Sequence, residues 1–71
     1  MRTLLLIHGP NLNLLGKRDA THYGPTSLSD IEKLVADEAQ KADFAIKAFQ
    51  SNHEGALIDF LQKESAGAVG I

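Results

Sequence analysis

Apolar side chains follow two different rhythms along the chain. Residues 3–8, Thr-Leu-Leu-Leu-Ile-His, are an almost unbroken apolar run just after the start. Such a run predicts a strand buried on both faces, as in a parallel sheet. Gly9 and Pro10 then break it. Further on, Leu28, Ile31, Leu34, Val35 and Ala39 recur at helical spacing. Ser27 can cap that helix, with Asp30 in its first turn, and the pattern ends near Lys41 or Ala42. Residues 44–49 predict a second strand, flanked by Asp43 and the polar stretch 50–52. Ala56, Leu57, Phe60 and Leu61 then mark the apolar face of a second helix. Ser51 and Glu54 fit a capping box for it. Residues 67–71 read as entry into a third strand.

The predicted order is β-α-β-α-β, which implies an α/β fold with a parallel sheet and right-handed crossovers. The third strand stops as it begins. A sheet edge and two helices would then lack cover, so the expectation is a truncated chain, the N-terminal part of a single domain over residues 1–71. At 71 residues it holds at most one small domain. No repeats or low-complexity tracts interrupt it.

Composition narrows the function classes. A formal net charge of −2 gives no basic field for nucleic acid. With no cysteine there is no disulfide framework, thiolate zinc site or cysteine nucleophile. The apolar run 4–7 is far too short to span a membrane. It lacks a cleavage-site pattern, so it does not read as a signal peptide. The expectation is a cytoplasmic protein with neither nucleic acid nor membrane as partner.

Residues 9–26 carry no sustained periodicity. Connections longer than about 12–15 residues are uncommon and usually functional or disordered. This one leaves the carboxyl end of the first strand, where ligands bind in open α/β sheets. It matches neither G-x-G-x-x-G nor the P-loop. Residues 8–11 offer no carboxylate of the kind a receiver domain needs. His53-Glu54 opens like a zincin motif, but Leu57 stands where the second histidine belongs. The loop does hold Asn11, Lys17, Arg18, His22 and Tyr23. Tyrosine titrates near pH ~10, and a cation within about 4–6 Å can lower a pKa by roughly 1–3 units. Arg18 suits that task because guanidinium stays charged, and Lys17 can steer an anionic substrate. Taken singly, Tyr23 is an ordinary partly buried loop residue, Arg18 a solvated charge, and Asn11 a turn stabiliser after Pro10. Glu54 is a capping residue rather than a catalyst, and His22 and His53 are exposed or hydrogen-bonding.

In combination these residues resemble a known family. Gly9-Pro10-Asn11-Leu12-Asn13-Leu14-Leu15-Gly16, then Lys17-Arg18, then Tyr23-Gly24, is similar to the signature of type II 3-dehydroquinate dehydratases. Gln50-Ser51-Asn52-His53-Glu54-Gly55, followed by Ile58-Asp59, resembles that family's second block. The resemblance runs over essentially the whole chain. It implies a flavodoxin-like three-layer parallel sheet, here truncated to β-α-β-α-β. It implies a hydro-lyase of the shikimate pathway to chorismate and the aromatic amino acids, converting 3-dehydroquinate to 3-dehydroshikimate. The implied route is enolate-type elimination without metal, Schiff base or cofactor. In that scheme Tyr23 is the proton acceptor. Arg18 lowers its pKa and stabilises the transition state. Asn11 holds a water near the forming enolate oxygen, and residues about 16–25 form a lid. The implied assembly is a homo-oligomer, a dodecamer built from trimers.

The family's catalytic histidine and most of its substrate-binding groups lie beyond the third strand. His8, His22 and His53 do not match that histidine, so the isolated chain is expected to be inactive. Two rivals remain. One is a flavodoxin-like domain holding FMN or another phosphate ligand, although the loop lacks a Ser/Thr/Gly-rich cradle. The other is an assembly module without catalysis, its sheet completed by another chain.

Overall fold

The computed structural model describes residues 1–16 and 26–71. Strand β1 spans Arg2–His8, helix α1 Leu28–Lys41, strand β2 Phe44–Gln50 and helix α2 Glu54–Glu64. Single 3-10 turns lie at Leu12–Leu14 and Ser65–Gly67. The alternation of strand and helix expected from the sequence is present.

Strands β1 and β2 pair in parallel over their whole lengths, from Arg2 opposite Phe44 to His8 opposite Gln50. The expected third strand is not formed as a strand. Residues 65–67 take a 3-10 turn, and the chain then touches β1 at one parallel bridge, Leu4 with Gly70. Two backbone bonds make that contact: Val69 N–H donates to Thr3 O at 2.8 Å, and Leu5 N–H donates to Gly70 O at 3.0 Å. The turn ends at Gly67, where the expected strand was to begin, and beyond it only Gly70 bridges to β1. The contact still lies on the edge of β1 opposite β2, the side on which a flavodoxin-like sheet carries its next strand.

Side chains alternate across a strand, and this assigns the two faces. Leu4, Phe44 and Ile46 line a groove with Leu34, Val35 and Ala39 of α1. Phe49 stacks on Phe60 of α2, with ring centroids 4.4 Å apart and planes 7° from parallel. Lys47 Nζ lies 2.8 Å from Glu64 Oε2 on the same side. Even-numbered strand positions therefore face α1, and odd-numbered ones face α2. One helix on each face is what two successive right-handed crossovers of opposite direction produce. The core is shallow because the continuous sheet is two strands wide. Among the described residues only Leu5, Ala39 and His8 are buried, while Leu34, Ile58, Val69 and Ile71 are exposed.

Local chemistry sets the helix ends. Ser27 and Asp30 form a reciprocal box: Asp30 N–H donates to Ser27 Oγ at 3.2 Å, and Ser27 N–H donates to Asp30 Oδ2 at 3.0 Å. Asp30 thus takes the N3 role usually held by glutamate or glutamine. At the other end Asp43 enters the left-handed region, φ 67°. Its N–H donates to Gln40 O at 3.0 Å, and β2 begins at the next residue. Aspartate is among the few side chains that tolerate this conformation.

The start of α2 differs from expectation. The N-cap is His53, without a side-chain cap bond, and Ser51 and Glu54 form no capping box. The sheet is the reason. Ser51 N–H donates to His8 O at 3.2 Å, prolonging the β1–β2 ladder by one bond. Ser51 Oγ instead accepts from His53 N–H at 3.0 Å, two residues on. Glu54 is left in the first turn, where a carboxylate complements the helix dipole.

Candidate functional site

The carboxyl ends of β1 and β2 lie side by side, because His8 is in register with Gln50. The segments leaving them, from Gly9 and from Ser51, are therefore neighbours, and Asn11 meets Asn52 although the two are 41 residues apart in sequence. Gly9-Pro10-Asn11 turns away from β1 and enters the 3-10 turn Leu12–Leu14. Asn11 holds the left-handed conformation that starts it, φ 69°, ψ −5°. Leu12 N–H donates to Gly9 O at 3.4 Å, and Leu14 N–H donates to Asn11 O at 3.0 Å. Gly16, φ 81°, ends the described part of the loop in a conformation that suits glycine.

Side-chain amides knit the two segments together. Asn11 N–H donates to Asn52 Oδ1 at 2.8 Å. Gln50 Nε2 donates to Gly9 O at 3.2 Å and to Asn52 Oδ1 at 3.2 Å, with Asn13 Oδ1 at 3.5 Å. Asn11 is itself exposed, as are Leu12, Asn13 and Leu14. Of the sequence-predicted site residues, Asn11 is thus placed at the mouth of the sheet. Tyr23, Arg18, Lys17 and His22 lie outside the described residues, as does the expected lid apart from Gly16.

His8 sits beneath this mouth, 6% exposed. Its Nε2 stands 3.3 Å from Glu32 Oε1 of α1, without forming a hydrogen bond. Sequence reasoning gave it no site role. Asn52 was also missed as the partner of Asn11, and Gln50 as the side chain that ties Asn52, Asn13 and Gly9 together. The one available signal was the polar block 50–55 directly after a strand, which marks a strand end at the ligand-binding edge of a parallel sheet.

Residues 2–71 match the family described as Dehydroquinase class II. The chain belongs to that family. It is 54% identical to a catabolic 3-dehydroquinase of Podospora anserina over 93% of its own length and 40% of that protein's. It is 47% identical to a 3-dehydroquinate dehydratase of a Janthinobacterium species over 99% of its length and 50% of that protein's. The chain therefore spans half or less of the length of these curated relatives. Among solved structures it resembles a type II dehydroquinase from Butyrivibrio crossotus, with TM-score 0.78 and 35% identity. That match covers 89% of this chain and 43% of the other. A type II dehydroquinase from Propionibacterium acnes, 21% identical, gives TM-score 0.80 over 93% of this chain and 46% of its own, a likeness of fold. The family match spans both sequence blocks, Gly9 to Gly16 and Gln50 to Gly55, which meet at one end of the sheet.

Among the described residues no helix is long and apolar enough to cross a membrane.

Proposed function

We propose that the chain is the N-terminal part of a type II 3-dehydroquinate dehydratase domain, which eliminates water from 3-dehydroquinate to give 3-dehydroshikimate. The observation that carries the reading is the family match over residues 2–71. Asn11, held at the carboxyl end of β1 by Asn52, supports the reading, since open α/β sheets bind ligands at the carboxyl ends of their strands. Tyr23 acts as tyrosinate and takes the proton next to the carbonyl. Arg18 favours the ionised phenol and offsets negative charge as the enolate forms. Asn11 holds a water against that developing charge. Residues 16–25 close over the substrate and exclude bulk water.

Protonation of the departing hydroxyl belongs to the remaining half of the fold, as do the other substrate contacts. The domain works in the cytoplasm as a homo-oligomer, a dodecamer built from trimers, within the shikimate pathway. None of its proposed steps needs a cofactor.

The test is Tyr23→Phe in the full polypeptide that contains residues 1–71, assayed by ultraviolet absorbance of the conjugated enone product. Loss of a general base costs about 10²–10⁴-fold in rate, with affinity changed much less. Near-normal turnover of the variant removes Tyr23 from the role of base.

A further inference from the structure

The amide cluster at the mouth of the sheet has more acceptors than one side chain can serve. Gln50 Nε2 carries two hydrogens and faces Gly9 O, Asn52 Oδ1 and Asn13 Oδ1 at 3.2, 3.2 and 3.5 Å. Two bonds are well formed, and the third position is a weak alternative. Asn52 Oδ1 in turn accepts twice, from Gln50 Nε2 and from Asn11 N–H at 2.8 Å. The chain of bonds thus begins at the end of β2 and finishes on the backbone of Asn11. That backbone is left-handed, φ 69°, a conformation that L-residues adopt only when their surroundings or a short polar side chain favour it.

We propose that Gln50 and Asn52 are positioning residues for the reaction assigned above, clamping Asn11 in its left-handed conformation and so fixing where its side chain points. The inference rests on that functional reading. Asn52 supplies the acceptor that ties Asn11 to the neighbouring strand. Gln50 supplies the donor that keeps the Asn52 oxygen turned toward Asn11, and it also holds Gly9 at the loop's root. The roles follow from hydrogen-bond polarity. An aspartate at position 52 keeps both acceptor contacts. A glutamate at position 50 has the shape of glutamine but sets a carboxylate against two or three oxygens. An error of about 1 Å in a positioned group can cost on the order of 10²-fold in rate.

The experiment compares Asn52→Leu, Asn52→Asp, Gln50→Glu and Tyr23→Phe in the full polypeptide containing residues 1–71. Steady-state dehydration is measured alongside backbone amide exchange at Asn11. Asn52→Leu and Gln50→Glu should lower kcat by roughly 10–100-fold while KM moves about threefold or less, the pattern of lost transition-state alignment. Asn52→Asp should recover most of that loss. Asn11 N–H should exchange about 2–10-fold faster in Asn52→Leu, as expected for one lost bond, and near the parent rate in Asn52→Asp. If Tyr23→Phe abolishes turnover while Asn52→Leu and Gln50→Glu keep parent kcat, the clamp is refuted and the dehydratase reading stands. If the parent does not dehydrate the substrate, or Tyr23→Phe leaves its turnover intact, the functional reading fails. Amide exchange then still decides whether Asn52 holds Asn11, and an unchanged rate in Asn52→Leu overturns the clamp.

Discussion

Leu5→Ala should remove a large share of the stability that residues 1–71 possess. Leu5 is 3% exposed and is tied on both sides. Its neighbour across β2 is Lys47, and its own N–H donates to Gly70 O at 3.0 Å on the other edge. Its side chain lies on the α2 face of the strand. Deleting its outer carbons loses about 2 kcal/mol of transfer free energy at roughly 0.8 kcal/mol per methylene. The unfilled space adds to this, so that buried leucine truncations reach about 5 kcal/mol. A shallow core collapses more easily than a deep one, which places the expected cost at about 2–4 kcal/mol. At 0.05–0.15 kcal/mol per residue, 71 residues supply roughly 4–11 kcal/mol in all. Urea unfolding followed by far-ultraviolet circular dichroism reads the change as a lower midpoint at constant slope. Leu34→Ala is the control. Leu34 is 64% exposed, so its truncation should stay within about 0.5 kcal/mol of the parent. Equal midpoint shifts for the two variants would refute the reading that Leu5 is buried in the core and Leu34 is not.

Ser27→Ala should destabilise α1 by about 1 kcal/mol, since it removes the hydroxyl that accepts from Asp30 N–H. The Asp30 carboxyl is held below its ordinary value, chiefly by Ser27 N–H and then by the Ser27 hydroxyl. Its contribution is therefore full above the ordinary carboxylate pKa and is lost as pH falls through the lowered one. In Ser27→Ala an NMR titration should show the Asp30 midpoint rise. The Glu64 carboxyl is likewise held low, first by its hydrogen bond to Lys47. Lys47→Ala should return the Glu64 midpoint toward the usual range, and an unmoved midpoint would show that this pair is not formed in solution. Residues 1–71 by themselves should show no dehydratase turnover, because loss of one acid–base partner alone costs about 10²–10⁴-fold. Turnover equal to that of an intact relative would show a complete site within the chain.

Much of the fold was legible because short-range chemistry decided it. The apolar run 3–8 became β1, starting one residue earlier, and the helical period beginning at Leu28 became α1 with Ser27 as its cap. The motif 9–16 carried the family, and the family match bears that out. The box predicted for Ser51 and Glu54 failed because a backbone bond across the sheet competed for the same residues. Ser51 N–H went to His8 O, a partner 43 positions away that no local pattern can announce. The single bridge at Gly70 likewise depends on where a 3-10 turn releases the chain.

Candidate chemistry divided in the same way. Residue types in the loop suggested Tyr23 as a base with Arg18 as its cation, and the resemblance to the family added Asn11 as the residue that holds a water. The sequence also set the alternation of strands and helices, because periodicity is a local property. Only the tertiary structure joined Gly9 and Asn11 to Gln50 and Asn52, since parallel pairing places the ends of β1 and β2 together whatever their distance along the chain. It alone buried His8 beside Glu32, because the facing of a strand residue depends on which helix packs there. Hydrogen bonds between distant amides follow from strand register, and register is fixed by the packing of the whole sheet.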